Sequence, residues 1–209
     1  MNTKLSLIAL AAACSPEQKP EIIDKPVDTI MSVWQPVQYA RLREASPEQN
    51  FGGQPLYLGA SADGVETALV QYNAEHFRGM DVEKAVLQFS AGQTCHSSYV
   101  LTFPKCGLDL VVEAHEIVLP WKQSTVTWNS FYGSAEPYNP TILGTARLRI
   151  PEGNHFQYTI DVTTAVRDWI SGKPDYGIAL IADEKGRRKG RFEQTDSVVD
   201  HPELAVHAK

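Results

Sequence analysis

The pairing with the widest chemical reach in this sequence is histidine beside glutamate. His115-Glu116-Ile117-Val118-Leu119 opens like the helical zinc-protease pattern, in which a second histidine four residues on completes the metal pair. Leu119 stands in that place, so the metal reading fails. Glu113 and His115 lie two apart, which on a strand puts both on one face. A solvated stripe and an acid–base pair both fit that spacing. The histidines at 76, 96, 115, 155, 201 and 207 are otherwise scattered. There is no G-x-S-x-G nucleophile elbow, no phosphate-cradling Gly-Lys-Ser/Thr loop and no calcium-loop spacing. The chain therefore reads as a binder and not as an enzyme.

Groups suited to binding are easier to find. Arg41 and Arg43 share one side of a strand by alternation, where a guanidinium fork can grip a sugar carboxylate or pair with acidic neighbours such as Glu44 or Glu48. Aromatic rings supply apolar faces with a polar tip. Trp128 and Trp169 sit at strand and helix spacing and are assigned to the core, whereas Trp121 is ambiguous. The stretch NSFYGSAEPYNP sets Phe131, Tyr132 and Tyr138 among Gly, Ser and Pro. Those rings either form a ligand-binding edge or lid the core. No cofactor is called for. Calcium is common in β-sandwiches, but no oxygen-ligand cluster marks a site.

Composition narrows the partners. With 209 residues, 43% apolar and 21% charged, the chain can fold as one ordinary domain. A formal net charge of −6 makes it a poor polyphosphate binder, which excludes nucleic acid as the expected partner. The one dense basic run, Lys185 to Arg191, is either a solvated hairpin tip or a patch for acidic polysaccharide or anionic lipid headgroups.

The amino terminus reads as an address. Lys4 is followed by an apolar run from Leu5 to Ala13 that ends in Ala11-Ala12-Ala13 just before Cys14. A secretory signal has these parts, and the run is far short of the roughly 20 apolar residues that span a bilayer. Small residues followed at once by cysteine resemble a bacterial lipoprotein signal. The resemblance implies cleavage before Cys14, lipid on its thiol and new amino group, and an exported protein held at the cell envelope. In a Gram-negative cell, Ser15 in the following place suggests the outer membrane. Residues 1–13 are then the signal, and 14–26, with Pro16, Pro20 and Pro26, a flexible tether. Cys95 and Cys106 remain, an even pair in an oxidising space, which suggests a disulfide. Closing that loop adds about 3 kcal/mol on the chain-entropy model.

From residue 27 onward the signal is of short strands divided by turns. PLYLGA, TALVQYN, EKAVLQFSA, GLDLVVEAHEIV, STVTWNS, TARLRI, FQYTIDV, GIALIA and ELAVHA are β-branched, aromatic or alternating. Ala68, Val70 and Tyr72 share one face, as do Ala85, Leu87 and Phe89. The turns are NFGGQP, SADG, PEGN and GKPDYG. An all-β antiparallel sandwich follows. One segment breaks the rule: Val162, Val166, Trp169 and Ile170 form a single helical face, with Asp161 as N-cap and Gly172 as stop, predicting one short helix over 162–171.

The order of these motifs resembles the DNRLRE family of extracellular jelly-roll modules, which are related to carbohydrate-binding modules. The match runs through YARLREASPEQNFGGQPLYLG (Tyr39 to Gly59), TALVQYN, WKQSTVTWN (Trp121 to Asn129), DVTTAVRDW (Asp161 to Trp169), the GIAL strand and the closing strand from Pro202 to Val206. It implies a jelly-roll domain over 27–209 and a non-catalytic surface module that binds polysaccharide. The alternative is a structural or adhesive surface protein whose sandwich makes protein contacts. The residues set forward for a ligand are Tyr132, Tyr138, Phe131, Trp121, Arg41 and Arg43.

Overall fold

In the computed structural model the described residues are 30–61, 64–93, 108–150, 155–182, 197–199 and 202–209. Cys14, the Cys95–Cys106 pair and the basic run 185–191 lie outside them. The strands are β1 (Ile30–Trp34), β2 (Gln38–Arg43), β3 (Phe51–Gly52), β4 (Leu56–Ser61), β5 (Gly64–Gln71), β6 (Val82–Gln93), β7 (Leu108–Ile117), β8 (Tyr138–Ile150), β9 (His155–Asp161), β10 (Ile178–Ala182), β11 (Ser197–Val199) and β12 (Glu203–Ala208). Two short α-helices, α1 (Trp128–Tyr132) and α2 (Thr163–Ile170), and a 3₁₀ turn over Ala74–Phe77 complete the described elements.

All of the pairings are antiparallel and they form two sheets. In the first, β6 lies between β9 and β12, β1 covers the far side of β12, and β11 pairs with the end of β6. In the second the order is β8, β7, β10, β5, β2, β3. β4 joins both, since Leu56–Leu58 pair with β11 and Gly59–Ser61 with β5. The sheets face each other over one apolar core. Leu58 and Ala91 come from one end, Val70, Leu87, Val112 and Leu180 from the middle, and Val206 from the closing strand. The molecule is the all-β sandwich that the strand pattern predicts.

The alternation read from the sequence holds where a strand is buried on one face only. In β6, Ala85, Leu87 and Phe89 are buried in this core. β5 and β10 depart from it. Every residue of β5 from Val65 to Val70 is buried, and Ile178, Ala179, Leu180 and Ala182 of β10 are buried too. Continuous burial means that this sheet is covered on both faces. Its outer face carries a second, smaller core of Ala40, Leu42, Leu69, Ile117, Val126, Phe131 and Ala179. The cover is the connection between β7 and β8.

α2 closes one end of the sandwich. Ala165, Val166 and Trp169 are buried against the main core. Val162 occupies the capping position without a side-chain bond, and the Asp161 carboxylate instead accepts the Thr163 N–H at 2.9 Å. Gly172 ends the helix at φ +104°, a conformation that L side chains rarely adopt.

Candidate carbohydrate site

STVTWNS does not form the strand its composition suggests. Residues 123–125 make a turn and α1 begins at Trp128. The reason is local: Thr127 and Ser130 form a capping box. The Thr127 hydroxyl accepts the Ser130 N–H at 3.1 Å, and the Ser130 hydroxyl accepts the Thr127 N–H at 2.8 Å. Two donors satisfied reciprocally outweigh the β preference of Thr, Val and Trp, which is context-dependent in any case.

The connection is sewn onto β2, β3 and the turn after β2. Asn50 donates to the carbonyls of Gln123 at 2.9 Å and Val126 at 2.7 Å. The Gln123 side chain accepts the Tyr39 N–H at 2.9 Å, while the Gln123 backbone N–H donates to the Gln38 side-chain oxygen at 3.0 Å. Asn129 donates to Glu48 at 2.5 Å. Gly52 is needed for this approach, because a Cβ there would sit 1.8 Å from the Gln123 carbonyl oxygen. The segment is a fixed lid.

The six residues set forward from the sequence divide into two groups. Phe131, Tyr132, Tyr138 and Trp121 come together under and along the lid. Phe131 is 4% exposed, at the lid's centre. Tyr132 packs edge-on against it at 5.2 Å and shares a 2.8 Å hydrogen bond with Thr67. Tyr138 lies 6.5 Å from Phe131 and 5.0 Å from the His115 ring. Trp128 lies against Tyr132 with ring centroids 4.3 Å apart and the planes tilted by 39°, so it packs in this smaller core, half-buried, whereas Trp169 is in the main one. Trp121, also half-buried, donates its indole N–H to the Tyr176 carbonyl at 2.7 Å.

Arg41 and Arg43 do share a strand side, and that side faces away from the lid. The Arg41 guanidinium binds both oxygens of Glu66, at 2.5 and 2.6 Å, and lies 4.1 Å from the Tyr57 ring centroid. Arg43 adds a 3.4 Å contact to the same carboxylate. An acidic partner that the expectation did not name is Glu66, across the register on β5. Glu44 accepts the Val65 N–H at 2.8 Å. The Glu113 and His115 side chains meet at 3.4 Å, and His115 Nδ1 sits 3.0 Å from the Asn139 carbonyl. Among the described residues no group of three or more His, Cys, Asp or Glu side chains is placed to hold a metal ion.

A groove of about 340 Å³ runs along the lid, walled by Leu119, Trp121, Val126, Phe131 and Pro137 and edged by Thr125, Ser130 and Ser134. Ser134 spends its proton on the Ser130 carbonyl at 3.0 Å, which leaves its oxygen as an acceptor. Apolar walls, one indole and a rim of hydroxyls suit a ligand with C–H faces and hydroxyl edges.

A carbohydrate-binding family model matches residues 32–208, from within β1 to the end of β12. The chain belongs to carbohydrate-binding module family 96. The match spans both sheets, the lid and α2, so the module is the whole described body. The resemblance drawn from the motif order agrees with this at the level of carbohydrate-binding modules. No curated protein matches the module at the sequence level.

The module has a second concavity at the α2 end, and its walls contain a group that sequence reasoning missed. Asp175 accepts the Gly177 N–H at 3.0 Å and the Ala74 N–H at 3.2 Å, tying the turn after β5 to the loop before β10. Burial pushes its carboxyl from 3.8 up to about 7, with help from Glu116 and against the pull of the two N–H groups. Its only sequence signal was a Pro-Asp turn.

A pH dependence follows. Between about pH 4 and 7 the folded chain holds a proton at Asp175 that the unfolded chain releases, so stability falls as pH rises through that window and is flat above it. The shift corresponds to a loss on the order of 4 kcal/mol. Urea midpoints of the native protein and Asp175→Asn, measured from pH 4 to 8, are expected to converge or cross as pH rises. Parallel curves contradict the assignment.

Proposed function

We propose that the module is a non-catalytic carbohydrate binder whose glycan lies in the lid groove against Trp121. The observation that carries the reading is family membership together with a prebuilt groove in which an indole stands beside serine and threonine hydroxyls. A pyranose presents its C–H face to the ring and its hydroxyls to Ser130 and Ser134. Phe131, Tyr132 and Tyr138 serve this site from beneath by holding the lid down. Arg41 and Arg43 hold β2 and β5 together through Glu66.

The same reading places the protein outside the cytoplasm. The lipoprotein-type signal at residues 1–13 gives export, Cys14 carries the lipid, and residues 14–26 act as tether. The anchor presents the groove to polysaccharide at a cell envelope, and Ser15 favours the outer membrane in a Gram-negative cell. Mass spectrometry of membrane-extracted protein is expected to find an acylated amino terminus at Cys14. Cys14→Ala is expected to move the protein to the soluble fraction. An amino terminus at any other residue overturns the anchor.

A polysaccharide and glycan array probed with the full chain tests the binding itself. Retention on at least one glycan, reduced by Trp121→Ala, supports the reading. A blank array, with protein partners recovered from the cell surface by cross-linking, favours an adhesive module. Release of reducing or unsaturated sugar from a retained polysaccharide contradicts the non-catalytic part.

A further inference from the structure

The concavity at the α2 end is a cleft of about 670 Å³, twice the volume of the lid groove and within the range of small-molecule sites, roughly 300–1,000 Å³. We propose that it is a second carbohydrate site, which takes a single neutral sugar residue, such as a chain end, through its hydroxyl groups. The proposal rests on the reading of the module as a carbohydrate binder for its ligand class, and on the cleft alone for its place.

The walls hold polar groups whose bonding is incomplete. Gln71 accepts from Gln38 and donates to the Asp175 carbonyl, which leaves one amide N–H and one lone pair. Asn73 caps the 3₁₀ turn through its oxygen and keeps amide N–H capacity beyond its 3.4 Å contact with His76. Each Asp175 oxygen takes one backbone N–H and retains a lone pair. Trp169 contributes to the lining, and its buried indole N–H meets no acceptor in the protein. That N–H is closed off from solvent, so it belongs to the packing beneath the cleft and not to its recognition surface.

These features select the ligand. The cleft offers both donors (the Gln71 and Asn73 amides) and acceptors (Asp175), as sugar hydroxyls require. The two cations are already neutralised, Arg78 by Glu75 and Lys173 by Asp168, each at 2.5 Å. An anionic ligand therefore finds no surplus positive charge. The rings here are buried, Tyr72 at 1% and Trp169 at 4% exposed, so neither offers a stacking platform along a chain. Recognition rests on hydrogen bonds to one residue, whereas the lid groove reads a face.

Saturation-transfer NMR on the full chain, with the methyl glycosides of glucose, galactose and mannose tested singly, checks this. The expected result is saturable binding of at least one glycoside that persists in Trp121→Ala. It weakens about tenfold or more in Asp175→Asn and in Val37→Arg. Val37 is 61% exposed at the cleft mouth, so its replacement blocks entry without touching the packing. Binding that survives Val37→Arg and Asp175→Asn but vanishes in Trp121→Ala overturns the cleft and leaves the groove standing. Failure of all three glycosides to bind overturns the cleft as well, while the groove is judged separately by polysaccharide binding.

Discussion

Alanine at Glu66 is expected to lower the unfolding free energy by about 3–5 kcal/mol, because it strands a buried guanidinium. Glu66 is 4% exposed on β5, and the Arg41 side chain is 14% exposed on β2. The fork-to-fork geometry satisfies both carboxylate oxygens, and Tyr57 covers the cation. With the carboxylate gone, that charge has the Tyr57 and Phe51 rings beside it and little water. Replacing both partners, as Arg41→Leu with Glu66→Leu, is expected to recover most of the loss, since a buried pair is worth little more than apolar residues of similar size. Urea unfolding of Arg41→Leu, Glu66→Leu and the double variant measures the coupling. A single-variant cost below about 1 kcal/mol, the range of a surface pair, contradicts the structural role given to Arg41.

Phe131→Ala is expected to cost about 3–5 kcal/mol and to loosen the lid selectively. Phe131 is the central ring of the smaller core, in contact with Tyr132 and Tyr138, and it forms one wall of the groove. The main core shares none of these side chains. Amide exchange should therefore speed up over residues 118–137 while β6 and β12 keep their protection. Glycan affinity should fall with it, even though the expected contact is Trp121. Uniform loss of protection across both sheets contradicts a separable lid. An unchanged exchange pattern contradicts its dependence on Phe131.

The two sheets were legible because their signal is periodic. Ala85, Leu87 and Phe89 in β6 and Ala68, Val70 and Tyr72 in β5 announce a core face by alternation alone. α2 was legible for the same reason, with Gly172 marking its end through backbone geometry. The lid was not. Its residues favour strands, and only the Thr127–Ser130 capping box sends them into a helix. One signal did exist: GIALIA is too continuously apolar for a strand with a wet side, and it turned out to be covered twice, as did its neighbour β5 despite Glu66 and Thr67.

The candidate site residues were legible as types but not as positions. Phe131, Tyr132 and Tyr138 fell together as expected of one loop, yet of the three only Phe131 lines the groove, beside Trp121. Arg41 and Arg43 shared a face by alternation, but their partner Glu66 is distant in sequence and joined only by the register of β2 against β5. Asp175 had nothing beyond a Pro-Asp turn to betray it, since its environment is made by the turn after β5 and the loop before β10 meeting in space.

The most direct measurement is a binding isotherm for the best polysaccharide from the array, with the native full chain and with Trp121→Ala. A central indole in a binding groove is worth about 2 kcal/mol or more, so a weakening of roughly 30-fold is predicted with the fold unchanged by circular dichroism. An affinity within about twofold of native for Trp121→Ala would show that the glycan does not lie in the lid groove.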